Sequence, residues 1–138
     1  MSLIAEILRV LYVITDPRLL PSDKLLEGVH AALDGGAGIV QYRNKAISRK
    51  EALAELAKLK SLTERYQAVL IVNDSIELCI ESDIDGVHLG QSDDRVESAR
   101  KILGPDKILG ITCHNDPLLA QKALASGADY CAFGRLFE

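Results

Sequence analysis

Tryptophan is absent from this chain, and cysteine is scarce, with only Cys79, Cys113 and Cys131. The three are odd in number, widely spaced and form no Cys-x-x-Cys pair. That argues against a disulfide framework or a structural zinc site, and leaves buried or half-buried thiols in a reducing cytoplasm. Long apolar runs are missing as well. No stretch approaches the ~20 residues of a membrane helix. The opening lacks the basic, apolar and cleavage-site regions of a secretory signal, so none is expected. A basic excess is also lacking: 16 Lys and Arg against 20 Asp and Glu give a net charge of -4 and a pI of about 5.4. Nucleic-acid partners, which select a basic stripe, are therefore not expected. Neither a Gly-x-Gly-x-x-Gly after the first strand nor a P-loop is present, which weakens dinucleotide and nucleotide readings. No Pro/Ser-rich linker divides residues 1–138, so one domain is expected.

Apolar residues make up 48% of the chain and charged residues 26%, the balance of a globular protein. Six short apolar runs read as strands: 11–15, 38–43, Val69–Asn73, Gly86–Leu89, Ile108–Thr112 and 130–134. Val69-Leu70-Ile71-Val72 is apolar without a break, as parallel strands covered on both faces are. Helical patterns lie between the runs, the clearest over 48–66. There Ser48 and Glu51 form a capping box, each satisfying an orphan amide. Pro117 after Asp116 suits a first helical position. A short amphipathic stretch precedes the first strand near residues 4–9. Residues 32–39 resemble residues 123–130, both reading as a helix end, a glycine stop and a strand. The β-α order predicts an α/β protein, either a TIM (β/α)8 barrel or an open doubly wound sheet. A barrel needs eight strands and six are visible, so the sheet is open or the barrel incomplete.

Polar sets end these runs, at the carboxyl edge where α/β folds keep their sites. Gln41, Arg43 and Lys45 are spaced by two, which points all three to one strand face. A guanidinium fork and a compact ammonium suit phosphate oxygens, whereas the plainer reading is a solvated strand end. Asp74 and Asp93 each open a helix after adjacent strands. Singly they read as helix caps, and together as carboxylates sharing one hard cation such as Mg²⁺. The amides of Asn73 and Gln91 suit either a heterocycle edge or a local turn. Thr112 and His114, two apart, are both expected at the mouth. His88 reads as a hydrogen-bonded structural group, His30 as incidental, and Arg95 as a solvated helix charge.

Taken in order, these pieces resemble thiamine phosphate synthase. They are Tyr12-Val13-Ile14-Thr15-Asp16, Gln41-x-Arg43-x-Lys45, Asn73-Asp74, Gly86-Val87-His88-Leu89-Gly90-Gln91-x-Asp93, Gly110-x-Thr112-x-His114, and Ala128-Asp129-Tyr130 with Phe133-Gly134. The resemblance runs from about residue 11 to the last residue. It implies a TIM (β/α)8 barrel, here an incomplete one of six parallel strands with flanking helices. It implies coupling of hydroxymethylpyrimidine diphosphate to thiazole phosphate with release of pyrophosphate, and no protein nucleophile. By the same likeness Gln41, Arg43, Lys45 and Asn73 contact the pyrimidine diphosphate, and Asp74 and Asp93 hold Mg²⁺. Thr112 stands where the family often has serine. Family members continue past the sixth strand into two further βα units that bind the thiazole phosphate. This chain is therefore expected to lack them, not to turn over alone at a family-like rate, and to self-associate over its open edges. Two rivals remain. A thiazole tautomerase would use His114 as acid/base, but the diphosphate-binding set argues against it. A non-catalytic, diphosphate-binding partial barrel is the other.

Overall fold

In the computed structural model, residues 10–91 and 93–137 are described, without the side chains of Asp93 and Asp94. The amphipathic stretch at 4–9 lies outside the described residues. The six apolar runs form β1 (Leu11–Ile14), β2 (Ala37–Tyr42), β3 (Val69–Asn73), β4 (Gly86–Leu89), β5 (Ile108–Thr112) and β6 (Tyr130–Ala132). Between them run α1 (Leu25–Asp34), α2 (Arg49–Arg65), α3 (Ile76–Glu81), α4 (Asp93–Leu103) and α5 (Pro117–Ala125). The strands pair in chain order, every neighbour parallel. The sheet curls into part of a barrel. Tyr12 on β1 and Tyr130 on β6 meet hydroxyl to hydroxyl at 2.7 Å, although four strands lie between them.

Strand alternation sorts the apolar residues onto two faces. The convex face carries Val40, Leu70, Val72, Val87, Leu89, Leu109 and Ile111, which pack on Leu25, Val29, Leu56, Leu59, Val96 and Ala99 of the helices. The concave face is thinner, with Ile39, Val69 and Ile71 flanked by Tyr12 and Ile108. The main core thus lies between sheet and helices, and the barrel interior is left to polar chemistry.

Local signals set the element ends. Ser48 caps α2 in a full capping box with Glu51, and Asp116 caps α5 through Leu118 N–H with Pro117 following. The repeat is real in structure: Gly36 and Gly127 take φ of 99° and 104°, the left-handed turn from helix to strand that a side chain resists. At the opposite sheet edge aspartates pin strand starts. Asp85 accepts from Leu70 N–H at 2.7 Å, and Asp129 accepts from Leu109 N–H at 2.7 Å. Arg100 of α4 then ties Asp129 at 2.6 Å to the carbonyls of Gly104, Lys107 and Gly127. Cys79 and Cys113 are buried and Cys131 half-buried, all three unbridged. No helix among the described residues is long and apolar enough to cross a membrane.

Candidate active site

At the carboxyl edge of the sheet the concave face opens into a cavity of about 470 Å³. Inward positions of all six strands, or the residues just beyond them, line it: Tyr12, Gln41, Arg43, Asn73, His88, Thr112 and Tyr130. Gln41 and Arg43 stand on one face, as spacing by two requires. The Arg43 main chain is anchored, its N–H donating to Thr15 Oγ1 at 2.9 Å. Lys45 lies past the strand and outside the lining. At the rim it pairs with Asp74, Nζ to Oδ2 at 3.1 Å.

The capping reading of Asp74 is corrected by its neighbour. Ser75 is the N-cap of α3 and accepts from Leu78 N–H, so the Asp74 carboxylate has no capping duty. Asp74 sits at φ 64°, a left-handed conformation that aspartate tolerates better than most residues. Its N–H donates to His88 C=O at 2.8 Å, locking the β3 end to β4. The side chain is 41% exposed, open enough for a further ligand. Asp93 opens α4 at the end of β4, and its side chain lies outside the described residues. Among the described residues no three His, Cys, Asp or Glu groups converge on a metal position. The donor chemistry nonetheless fits a hard cation: a half-exposed carboxylate with no capping duty, paired only with the exposed Lys45 at the rim, is the kind of ligand Mg²⁺ takes when other oxygens and water complete its shell.

Below the rim a hydrogen-bonded chain crosses the barrel. Gln41 Nε2 donates to Tyr12 Oη at 2.8 Å, and Tyr12 Oη meets Tyr130 Oη at 2.7 Å. Tyr130 Oη meets His88 Nδ1 at 2.9 Å, and His88 Nε2 meets Thr112 Oγ1 at 2.8 Å. Burial sets the protonation of these groups. It pushes both tyrosines above their ordinary value, and it lowers His88 against the opposing charge of Asp74. His88 is thus hydrogen-bonded at both ring nitrogens, and it also forms part of the cavity wall.

Two expected site residues, Gln91 and His114, fall elsewhere or serve otherwise. Gln91 is exposed and donates its amide to the Thr112 main-chain carbonyl, tying the β4–α4 loop to the end of β5. His114 does not join Thr112. Its φ of 49° breaks strand alternation and turns it into a neighbouring hollow with Asn115, Arg135 and Phe137. Arg95 is an exposed charge on α4, as expected, with its guanidinium 3.5 Å from Asp74 C=O. The sequence reading left out Tyr12 and Tyr130 as site residues. Their signal was available: both take inward parity on their strands, and Gly110 on β5 is the vacancy the Tyr130 ring fills. A Cβ there would lie 2.0 Å from Tyr130 Cζ.

Parallel strands in chain order, helices on the convex face and a polar cavity at the carboxyl edge define a protein of the (β/α)-barrel class. The chain belongs to the thiamine monophosphate synthase family, whose profile matches residues 11–138. It is 47% identical over 127 residues to the thiamine-phosphate synthase of Alcanivorax borkumensis, covering 92% of this chain and 58% of that protein. It is 48% identical over 128 residues to the thiamine-phosphate synthase of Marinobacter nauticus, covering 93% of this chain and 58% of that protein. The solved thiamine phosphate pyrophosphorylase of Pyrococcus furiosus superposes with a TM-score of 0.82 at 37% identity, over 91% of this chain and 60% of that one. The chain therefore spans less than two thirds of the length of these relatives.

Proposed function

We propose that this chain carries the diphosphate-binding side of a thiamine phosphate synthase site, within a (β/α)-barrel domain of which it forms the larger part. The reaction would couple hydroxymethylpyrimidine diphosphate to thiazole phosphate and release pyrophosphate. One observation carries the reading: Gln41, Arg43, Asn73 and Thr112 converge on a single cavity whose rim holds Lys45 and Asp74. Arg43 and Lys45 place positive charge where a leaving pyrophosphate accumulates negative charge, so they stabilise the departure. Asn73, Gln41 and Thr112 supply neutral polar groups that orient the substrate in the cavity, and its apolar flank excludes water. Asp74 and Asp93 would hold Mg²⁺, which supplies further charge compensation to the diphosphate when bound. No step calls for a protein nucleophile.

The tautomerase alternative is not favoured. The named relatives are synthases, and His114, its acid/base candidate, lies away from the cavity. A cytoplasmic location accords with three unbridged thiols. Self-association over the edges of β1 and β6 accords with the exposure of Leu11, Ile14 and Phe133.

Calorimetry with inorganic pyrophosphate and Mg²⁺ tests the assignment. Removing a guanidinium that donates to a phosphate costs about 1.5–3 kcal/mol, so Arg43→Ala should weaken binding by roughly ten- to a hundredfold. Arg65→Ala is the control, because Arg65 is exposed in the last turn of α2, just before β3 begins at the other sheet edge. Equal effects of the two substitutions would count against the site.

A further inference from the structure

The chain of hydrogen bonds beneath the cavity has a direction, and Gln41 sets it. An amide NH₂ only donates, and each phenol has one proton to give. Tyr12 Oη, having accepted from Gln41, meets one other side chain among the described contacts, Tyr130 Oη. Among the described side chains, Tyr130 is then the acceptor within reach of the Tyr12 proton. Tyr130 in turn donates to His88 Nδ1, which leaves the imidazole proton on Nε2, facing Thr112 Oγ1. With its oxygen already accepting, Thr112 has its own proton left for the cavity it lines. The opposite direction would leave the Tyr12 proton without a side-chain acceptor among the described contacts. Five polar groups linked end to end are costly to install on a half-buried sheet face, and Gly110 gives up its side chain to admit the Tyr130 ring.

We propose that Tyr12 and Tyr130 are positioning residues which, through the Nε2–H tautomer of His88, fix the Thr112 hydroxyl as a hydrogen-bond donor into the cavity. The ligand atom opposite Thr112 must then be an acceptor, either a diphosphate oxygen or a ring nitrogen of the pyrimidine. A ligand that presents an N–H there is rejected, since two donors face each other. The identity of the ligand rests on the proposed function. The direction of the chain does not.

Long-range ¹⁵N–¹H spectra of the histidine side chains at neutral pH read the tautomer without any substrate. The expected result is a His88 ring protonated at Nε2 alone. Tyr130→Phe should lower the ratio of Nε2–H to Nδ1–H by about tenfold, the size one hydrogen bond sets. Tyr12→Phe, one link farther away, should shift the same resonances by less. An Nδ1–H or doubly protonated His88 in the unsubstituted chain overturns the proposal, as does a ratio that ignores Tyr130→Phe. Titrations of Thr112→Val with Mg²⁺ and either inorganic pyrophosphate or hydroxymethylpyrimidine diphosphate then locate the acceptor. Weakened binding of both ligands supports a diphosphate oxygen, and weakened binding of the pyrimidine compound alone supports the ring. Unchanged binding of both overturns the donor role. If the unsubstituted chain binds neither ligand, the proposed function fails, and the tautomer measurement still decides for or against the chain's direction.

Discussion

Gly110→Ala should be among the most damaging single-methyl additions in this protein. A Cβ at that position would lie 2.0 Å from Tyr130 Cζ, 2.3 Å from its Oη and 2.4 Å from Cε1. Ordinary contact is ~3.5 Å or more, so the ring has to move by over 1 Å. It is held by Tyr12 and His88 on the concave face, and moving it breaks both hydrogen bonds. Overpacking of this kind costs roughly 1–3 kcal/mol, and each lost hydrogen bond adds about 1 kcal/mol. A total of about 3–5 kcal/mol is the expectation. Gly110 is not among the glycines with positive φ, so alanine suits its backbone and, without the ring, would be neutral or slightly stabilising. Urea unfolding of a double-mutant cycle isolates the effect. Gly110→Ala should be severe in the unsubstituted chain and cost under about 0.5 kcal/mol in a Tyr130→Ala background. A Gly110→Ala protein as stable as its parent, or the same large loss in both backgrounds, would refute the packing argument.

Other outcomes follow from the same structure. Arg100→Ala should lose about 2–4 kcal/mol in urea unfolding, because one half-buried guanidinium serves three carbonyls and Asp129; Arg100→Lys should recover only part of it. Ser48→Ala should cost ~1 kcal/mol by removing the cap of α2. Burial holds His88 below its ordinary 6.5, so the unfolded chain takes up that proton first as pH falls. Its contribution to stability is complete above 6.5 and is lost as pH falls through the folded value, so unfolding midpoints should decline below about pH 6.5, and less steeply in His88→Gln. Asp74→Asn should weaken pyrophosphate binding in the presence of Mg²⁺ and, by releasing Lys45 from its ion pair, raise the Mg²⁺-free affinity, as titrations with and without the cation will show.

Much of the scaffold was legible because its signals are local. Val69–Asn73, Gly86–Leu89 and Ile108–Thr112 are short apolar runs, the first and last closed by a polar residue, and all three strands have those bounds. At β6 the run to residue 134 over-read the strand, which ends at Ala132, because Phe133 is exposed and apolar without being paired. The helix over 48–66 was recognisable from its capping box and occupies Arg49–Arg65. At the site, inward parity marked Gln41 and Arg43 correctly. Asp74 was read as a cap by residue type, but the serine after it is equally favoured by type and the geometry selects Ser75. His114 was misplaced because its left-handed turn leaves no mark in residue spacing. The Tyr12–Tyr130 contact joins residues 118 apart, beyond any periodicity argument, and becomes visible only when the sheet curls.

The central claim is that a diphosphate binds at the carboxyl edge of the sheet, between the ends of β2, β3 and β5. Backbone amide shifts of the labelled protein, followed during titration with inorganic pyrophosphate and Mg²⁺, test it most directly. The account predicts large shifts confined to Arg43, Lys45, Asn73, Asp74 and Thr112 with their immediate neighbours. Shifts centred instead on the groove between α1 and α2, where His30, Lys58 and Arg65 offer the alternative cationic surface, would contradict it, and so would a spectrum that does not move.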